Sequence, residues 1–247
     1  MEANNLWKLF VDEALEDYTL VIPSVAVGNV GQLACDLLIS SLKMVKIASV
    51  HSLAQIPVVG YDPYDLKSNI LSSACEVYKS ESKRLVVVQI RSPLIYKYAR
   101  SFLSNIVDTF RSKGIRDVII LTSSFAHEKK LVLSSSFRYV ATENSPYRNK
   151  ITELKLTEHD SVNNEIKIFG GGFACLLHKI CQEKSLPCLI LYKYCSEGDN
   201  LPDAYEMIGY LNKVHDIFPE DKDLFAQLKQ PVSWKLLFGR PPPADIY

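Results

Sequence analysis

The chain has 247 residues, of which 47% are apolar and 23% charged, an ordinary composition for a globular protein. Lysine plus arginine equals aspartate plus glutamate at 28 each, so the charge favours neither nucleic acid nor an anionic membrane surface as a partner. No apolar run reaches the roughly 18 residues of a membrane span, and the acidic N-terminus lacks the pattern of a signal peptide.

Short apolar runs alternate with amphipathic stretches from about residue 18 onward. The runs are typical of buried strands, whereas the stretches carry apolar residues at intervals of three and four, which predicts helices. In chain order, the predicted elements are a strand at 19–22, a helix over 30–38, strands at 46–50 and 85–90, a helix over 98–110, a strand at 118–121, a helix over 173–181, a strand at 188–192 and a helix from Pro202 to His215.

Local signals indicate where some elements begin and end. Asn29 followed by Gln32 resembles a capping arrangement at the start of the first helix, and Gly114 ends the second. Residues 52–72 contain two prolines and a glycine, and we predict a loop there. Residues 124–136 and 142–164 are polar and interrupt the alternation.

Continuous apolar strands separated by amphipathic helices predict a mostly parallel sheet that is covered on both faces. The fold class is therefore α/β, with a single three-layer α/β/α domain over residues 18–238. Residues 1–17 are predicted as an N-terminal extension and residues 239–247 as an extended C-terminal tail.

Two glycine-containing loops precede predicted helices and raise the question of a phosphate site. They are Gly28-Asn29-Val30-Gly31 and Gly170-Gly171-Gly172. A phosphate-binding P-loop requires Lys and Ser or Thr after its last glycine, but Phe173 and Ala174 stand there, and Cys175 replaces the third glycine of a dinucleotide fingerprint. Glycine also permits positive φ and close strand–helix contact. We favour this structural role, although a bare helix N-terminus can bind an anion.

Three pairs of side chains are candidates for catalysis. Cys175 and His178 lie three apart on one face of a predicted helix, away from its apolar face. A thiolate could be stabilised near the helix start, but no third orienting residue is evident. Ser123-Ser124 follows a strand but lacks the GxSxG pattern of a nucleophile elbow.

The third pair, Glu197 and Asp199, lies between a strand and a helix, where ligands often bind in open α/β sheets. The two carboxylates could act as an acid/base pair or serve only as turn formers near a helix N-terminus. The second interpretation is favoured, and we predict no catalytic residue in the chain.

The cysteines show no CxxC pair and are predicted to be reduced thiols of an intracellular protein. The six are Cys35, Cys75, Cys175, Cys181, Cys188 and Cys195. Cys188 and Cys195 are seven apart in a predicted strand and should point to opposite faces, which disfavours a shared zinc ion. We predict neither a metal nor a cofactor.

The C-terminal tail has an unusual composition. Three prolines, 241–243, follow an apolar stretch that includes Trp234, and they favour an extended conformation. Asp245, Ile246 and Tyr247 come last and present an apolar tip. An apolar tip on a stiff stalk suits insertion into a partner's pocket, so we predict that Asp245, Ile246 and Tyr247 bind a partner.

Four stretches together resemble the PAC2 family of proteasome assembly chaperones, and the likeness runs in order from about residue 18 to the C-terminus. They are VGNVGQLACDLLISSL (27–42), IFGGGF (168–173), CSEGDNLPDA (195–204) and SWKLLFG (233–239). The resemblance implies a fold related to nucleoside phosphorylases but without enzymatic activity, and a location in cytoplasm and nucleus. It also implies a heterodimer with proteasome assembly chaperone 1, which promotes assembly of the 20S proteasome α ring and prevents dimers of α rings.

The resemblance further implies that the tail docks between proteasome α subunits through a tripeptide of a hydrophobic residue, tyrosine and any residue. Ile246 and Tyr247 match the first two positions and no third follows, a departure from the family pattern that leaves the docking register open. Two alternatives remain open from the residues: a small-molecule enzyme of phosphorylase or nucleosidase type using Gly170–Gly172 and Glu197 or Asp199, and a tail that binds a PDZ-like groove.

Overall fold

A mixed sheet of eight strands forms the centre of the fold in the computed structural model, which describes residues 6–130, 133–159 and 166–236. The strands of the chain are β1 (Leu6–Leu9), β2 (Thr19–Pro23), β3 (Val45–His51), β4 (Val59–Tyr61), β5 (Leu71–Ser73), β6 (Cys75–Ser80), β7 (Leu85–Ile90), β8 (Asp117–Phe125), β9 (Phe137–Ala141) and β10 (Cys188–Cys195). The order across the sheet is β1-β3-β6-β7-β2-β8-β10-β9, and β4 pairs with β5 in a separate two-stranded sheet.

The four central strands, β7, β2, β8 and β10, run parallel, as their continuous apolar sequences predict. Strands β6, β3 and β1 extend one side of this core and β9 extends the other, all by antiparallel pairing. The sequence patterns did not indicate β1, β6 or β9. The mixed character of the sheet therefore comes from its flanks.

Helices cover both faces of the sheet, which confirms the three layers. The helices are α1 (Val30–Ser41), α2 (Tyr96–Ser112), α3 (Arg148–Glu153), α4 (Ala174–Glu183), α5 (Leu201–His215) and α6 (Leu224–Gln227). Apolar residues of α2 and α4 fill one core and those of α1 and α5 fill the other, so the helices use the faces that their apolar spacing indicates. None of the helices within the described ranges has the length and apolar character needed to cross a membrane.

Two local predictions are wrong. Asn29 does not cap α1 with its side chain, because its backbone is left-handed at φ 51°, and the Gln32 amide donates instead to the Ile90 carbonyl at 2.9 Å. The predicted loop at 52–72 is not irregular throughout, because β4 and β5 form an antiparallel hairpin there. At Asn29 a left-handed backbone overrides the capping signal, and at 52–72 pairing of neighbouring stretches produces regular structure despite the prolines and glycine.

The segment before residue 18 packs against the domain. Its β1 strand pairs with β3, Leu15 is buried, and the Trp7 indole donates a hydrogen bond of 3.0 Å to the Asn105 side chain on α2. The predicted division into an extension, a domain and a tail stays a prediction, since the described residues end at 236.

Candidate functional site

The carboxyl ends of the central strands, where open α/β sheets usually hold ligands, are occupied by the loop of residues 168–173. Three buried hydroxyls at the ends of β2 and β8 donate to carbonyls of this loop. Ser24 and Thr122 donate to the Gly171 carbonyl at 2.9 and 3.0 Å, and Ser124 donates to that of Phe169 at 2.9 Å. The polar groups that could have faced a ligand are thus used to hold the protein's own backbone.

The glycines of the two loops have the structural role that the sequence favours. Gly170 and Gly172 adopt φ of +78° and +60°, a region that disfavours other residues. Gly31 allows α1 to approach β8, because a Cβ at this position would lie 2.3 Å from the Leu121 carbonyl oxygen. The glycines therefore make a strand-to-helix turn and a close helix–sheet contact.

The amides of Phe173 and Ala174, at the start of α4, are already hydrogen-bonded. The Phe173 amide donates to the Ser24 hydroxyl at 2.8 Å, and the Ala174 amide donates to the Gly171 carbonyl at 3.3 Å. The Val27 amide of the other loop donates to the Gly170 carbonyl at 3.0 Å. An anion at this helix N-terminus would have to displace these bonds.

We therefore expect isothermal calorimetry to detect no binding of ATP, or of a nucleoside with inorganic phosphate, with a Kd below about 1 mM, which corresponds to roughly −4 kcal/mol. Micromolar binding would contradict this expectation, particularly if Gly171→Val abolished it. The matched control is Gly60→Val, because a Cβ at Gly60 meets nothing within 4 Å.

The Cys175–His178 pair is not arranged for thiolate chemistry. Burial raises the pKa of the Cys175 thiol and lowers that of the His178 imidazole, so each group is held in its neutral form. His178 is buried, contrary to the prediction that it lies away from the apolar face. The stabilisation that a helix N-terminus could give a thiolate is therefore outweighed by desolvation.

The other candidate side chains serve local structure. The Ser123 hydroxyl donates to the Val27 carbonyl at 2.5 Å. Glu197 and Asp199 are both exposed, and the Asp199 carboxylate accepts a hydrogen bond of 3.1 Å from the Leu201 amide at the start of α5. Asp199 thus acts as a turn former, the interpretation that the sequence favours.

Cys188 and Cys195 lie in the cores on opposite faces of the sheet, as predicted. Over the part of the chain that the structure describes, no group of three or more His, Cys, Asp or Glu side chains could hold a metal ion.

The predicted partner-binding residues Asp245, Ile246 and Tyr247 lie outside the described residues. Trp234, which precedes the tail, is buried in the core beneath α1 and α5.

A surface that sequence reasoning missed is formed by the exposed large apolar side chains of residues 53–71 together with Ile95 and Tyr96, hereafter the apolar surface. Ten such side chains are 41% to 94% exposed here. The two parts of the surface meet where Gln55 pairs with Leu94 and where the Ile95 amide donates to the Ala54 carbonyl at 2.8 Å. The sequence did carry one signal for this surface: residues 53–71 contain many large apolar side chains that follow neither a helical nor a strand periodicity.

Hydrogen bonds between buried polar groups attach the segment that carries the apolar surface to the rest of the domain. The Tyr64 hydroxyl donates to Asp36 of α1 at 2.5 Å, and Arg91 donates to the same carboxylate at 2.9 Å. The Ser72 hydroxyl donates to the fully buried carboxylate of Glu76 at 2.6 Å. Buried polar groups thus hold this segment to the domain, while most of its large apolar side chains face solvent.

A cleft of about 240 Å³ adjoins the apolar surface at the carboxyl end of β7. Leu94 and Tyr96 line one side, and Phe173 and Leu176 at the start of α4 line the other. The lining is apolar, and the volume is below the roughly 300–1,000 Å³ of typical small-molecule pockets. A cleft of this size suits a single apolar side chain.

The sequence profile of the PAC2 family matches residues 20–230. The chain is 35% identical to proteasome assembly chaperone 2 of Xenopus tropicalis, over 94% of this chain and 95% of the relative. It is 38% identical to proteasome assembly chaperone 2 of Mus musculus, over 94% and 96%. The crystal structure of Pyrococcus furiosus PbaA, an archaeal homolog of proteasome-assembly chaperone, superposes with a TM-score of 0.68 at 16% identity, covering 90% of this chain and 91% of that one.

Proposed function

Because the chain belongs to the PAC2 family, we propose that it is a non-enzymatic chaperone of 20S proteasome assembly. It forms a heterodimer with proteasome assembly chaperone 1, and this heterodimer binds proteasome α subunits, promotes formation of the α ring and prevents dimers of α rings. We place this activity in the cytoplasm and nucleus. The observation that carries the proposal is the identity of 35% and 38% over nearly the full length of relatives with this name.

The geometry of the strand ends supports a role without catalysis. The loop of residues 168–173 fills the position at which open α/β sheets usually hold ligands, and hydroxyls at the ends of β2 and β8 are bonded to it. A large apolar surface elsewhere on the domain is typical of a protein that works by binding other proteins. Among residues 6–130, 133–159 and 166–236, no contact of Gly170–Gly172, Glu197 or Asp199 favours the phosphorylase or nucleosidase alternative.

The tail is proposed to dock into a pocket between neighbouring α subunits. The Tyr247 ring contributes apolar burial there, and its hydroxyl contributes one hydrogen bond. The buried Trp234 anchors the chain to the domain just before the tail. The three prolines restrict the tail's conformations and so reduce the entropy lost when it binds.

We therefore expect deletion of Ile246-Tyr247 to weaken binding of the heterodimer to α subunits by about 10- to 100-fold. Surface plasmon resonance against immobilised α subunits measures this effect. The conservative variant Tyr247→Phe should lose only about fivefold, the value of one hydrogen bond.

Binding to chaperone 1 serves as the internal control, since the folded domain and not the tail forms the heterodimer. It should be unchanged by the deletion. A deletion variant that binds α subunits as tightly as the full chain would show that the tail makes no contact and that the partner carries the docking.

A further inference from the structure

We propose that the apolar surface is covered by a permanent partner subunit, and that this subunit places one aliphatic or aromatic anchor side chain in the adjoining cleft. The inference rests on the proposed heterodimer and assigns its interface on this chain to residues 53–71, Ile95 and Tyr96. The occupant is defined by its chemistry, an apolar and charge-poor face of a subunit that stays bound.

The size of the apolar surface matches one side of a stable interface. Its ten side chains are on average about two-thirds exposed. At about 60–120 Å² of apolar area per fully exposed side chain, they present on the order of 600 Å². A standard interface buries about 800 Å² per partner, of which somewhat more than half is apolar. The largest apolar patch on a typical monomer is about 300–600 Å², so this surface is at the upper limit.

The charge distribution favours a permanent partner over a transient one. Residues 53–71 contain three charged side chains, Asp62, Asp65 and Lys67. Asp62 and Asp65 accept hydrogen bonds from amides of their own loop, those of Tyr64 and Lys67 at 2.8 and 2.9 Å. Interfaces between permanent subunits are more apolar than those of transient complexes. A chaperone must release the α ring but can keep its partner, so the partner is the better match.

The surface is also held in place before binding. Tyr64 is tied to Asp36, and the amide of Ser73 donates to the buried Glu76 carboxylate at 3.0 Å. The Lys46 ammonium adds a bond to the Leu71 carbonyl at 3.3 Å. These bonds hold the backbone while the apolar side chains point outward, which reduces the entropy lost on association.

The test uses the full chain with Val59→Glu and Tyr96→Glu combined. Val59 and Tyr96 are 70% and 94% exposed, so neither substitution should disturb the fold. We expect binding to chaperone 1, measured by calorimetry, to weaken at least 100-fold, because each charge would be buried without a partner at the interface. The matched control, Leu133→Glu with Phe225→Glu, changes two exposed apolar residues outside the surface and should bind within about twofold.

Circular dichroism melting of both double variants checks folding, and Val59→Thr with Tyr96→Ser provides a milder pair. A second measurement needs no substitution: hydrogen exchange of the unmodified heterodimer should show protection of the amides of residues 53–71 relative to the chain alone.

The outcomes separate this inference from the proposed function. If the unmodified chain binds chaperone 1 and the Val59→Glu, Tyr96→Glu variant binds it equally well, the interface lies elsewhere and the heterodimer stands. If the unmodified chain ignores chaperone 1 but self-associates, and the variant does not, a second copy covers the surface and both the partner assignment and the heterodimer are wrong.

Discussion

Replacing Gly172 with alanine should lower the free energy of unfolding by about 3–5 kcal/mol. The backbone at Gly172 has φ of +60°, which costs other residues roughly 1–2 kcal/mol. The new Cβ would also lie 2.2 Å from the Val25 carbonyl oxygen and 2.5 Å from the Ser24 hydroxyl. Ser24 would have to move, and its bonds to Gly171 and Phe173, worth about 1 kcal/mol each, would be lost.

Urea denaturation of the isolated chain measures this effect, with Gly60→Ala as the control. Gly60 has no positive φ, and a Cβ there meets nothing within 4 Å, so its replacement should change stability by less than about 0.5 kcal/mol. Equal stability of the two variants would mean that the loop of residues 168–173 does not pack on the strand ends.

Replacing Asp36 with alanine should cost about 3–5 kcal/mol of stability, because it leaves the mostly buried Arg91 guanidinium without its carboxylate. The same change removes the acceptor of the Tyr64 hydroxyl and of the Gln89 amide. Since Tyr64 ties the apolar surface to α1, we also expect weaker binding to the partner. Guanidinium denaturation and calorimetry with chaperone 1 measure the two effects.

Glu183→Ala is the matched control for Asp36→Ala. Glu183 is also a helical carboxylate paired with an arginine, Arg100, but both side chains are about half exposed. A pair of this kind contributes about 0–1 kcal/mol, so this variant should lose little stability. Comparable losses for the two variants would show that burial of the Asp36 pair adds no stability beyond that of an exposed pair.

The central strands could be predicted from the sequence because they are buried on both faces and therefore almost entirely apolar. Strand β6 could not, because Glu76 and Lys79 interrupt its pattern. Glu76 is nevertheless fully buried, since Ser72, Tyr78 and Lys46 supply its partners. The compensating cation comes from Lys46 on β3, 30 residues away in the chain, so the pairing of this charge has no local signature.

In the candidate site too, some features could be predicted from the sequence and others could not. That the three glycines make a turn could be predicted, because the residues that follow them cannot hold a phosphate. That the turn packs on Ser24 and Thr122 could not, since these hydroxyls are about 50 to 150 residues away in the chain. The apolar surface was missed because residues 52–72, with two prolines and a glycine, were expected to form a simple loop. The hydrogen bonds of Tyr64 and Ser72 that attach this segment to the domain have no signature in its sequence.

The strand order has a consequence for synthesis on the ribosome. Strand β2 is complete at Pro23, but its two neighbours, β7 and β8, begin only at Leu85 and Asp117. At translation rates of about 5–20 residues per second, this buried strand waits roughly 3–12 s for its first neighbour and longer for its second. An unpaired apolar strand invites association with other nascent chains during that interval. The parallel core closes only when β10 has been made, so a protein of this topology completes its folding late in translation or after release.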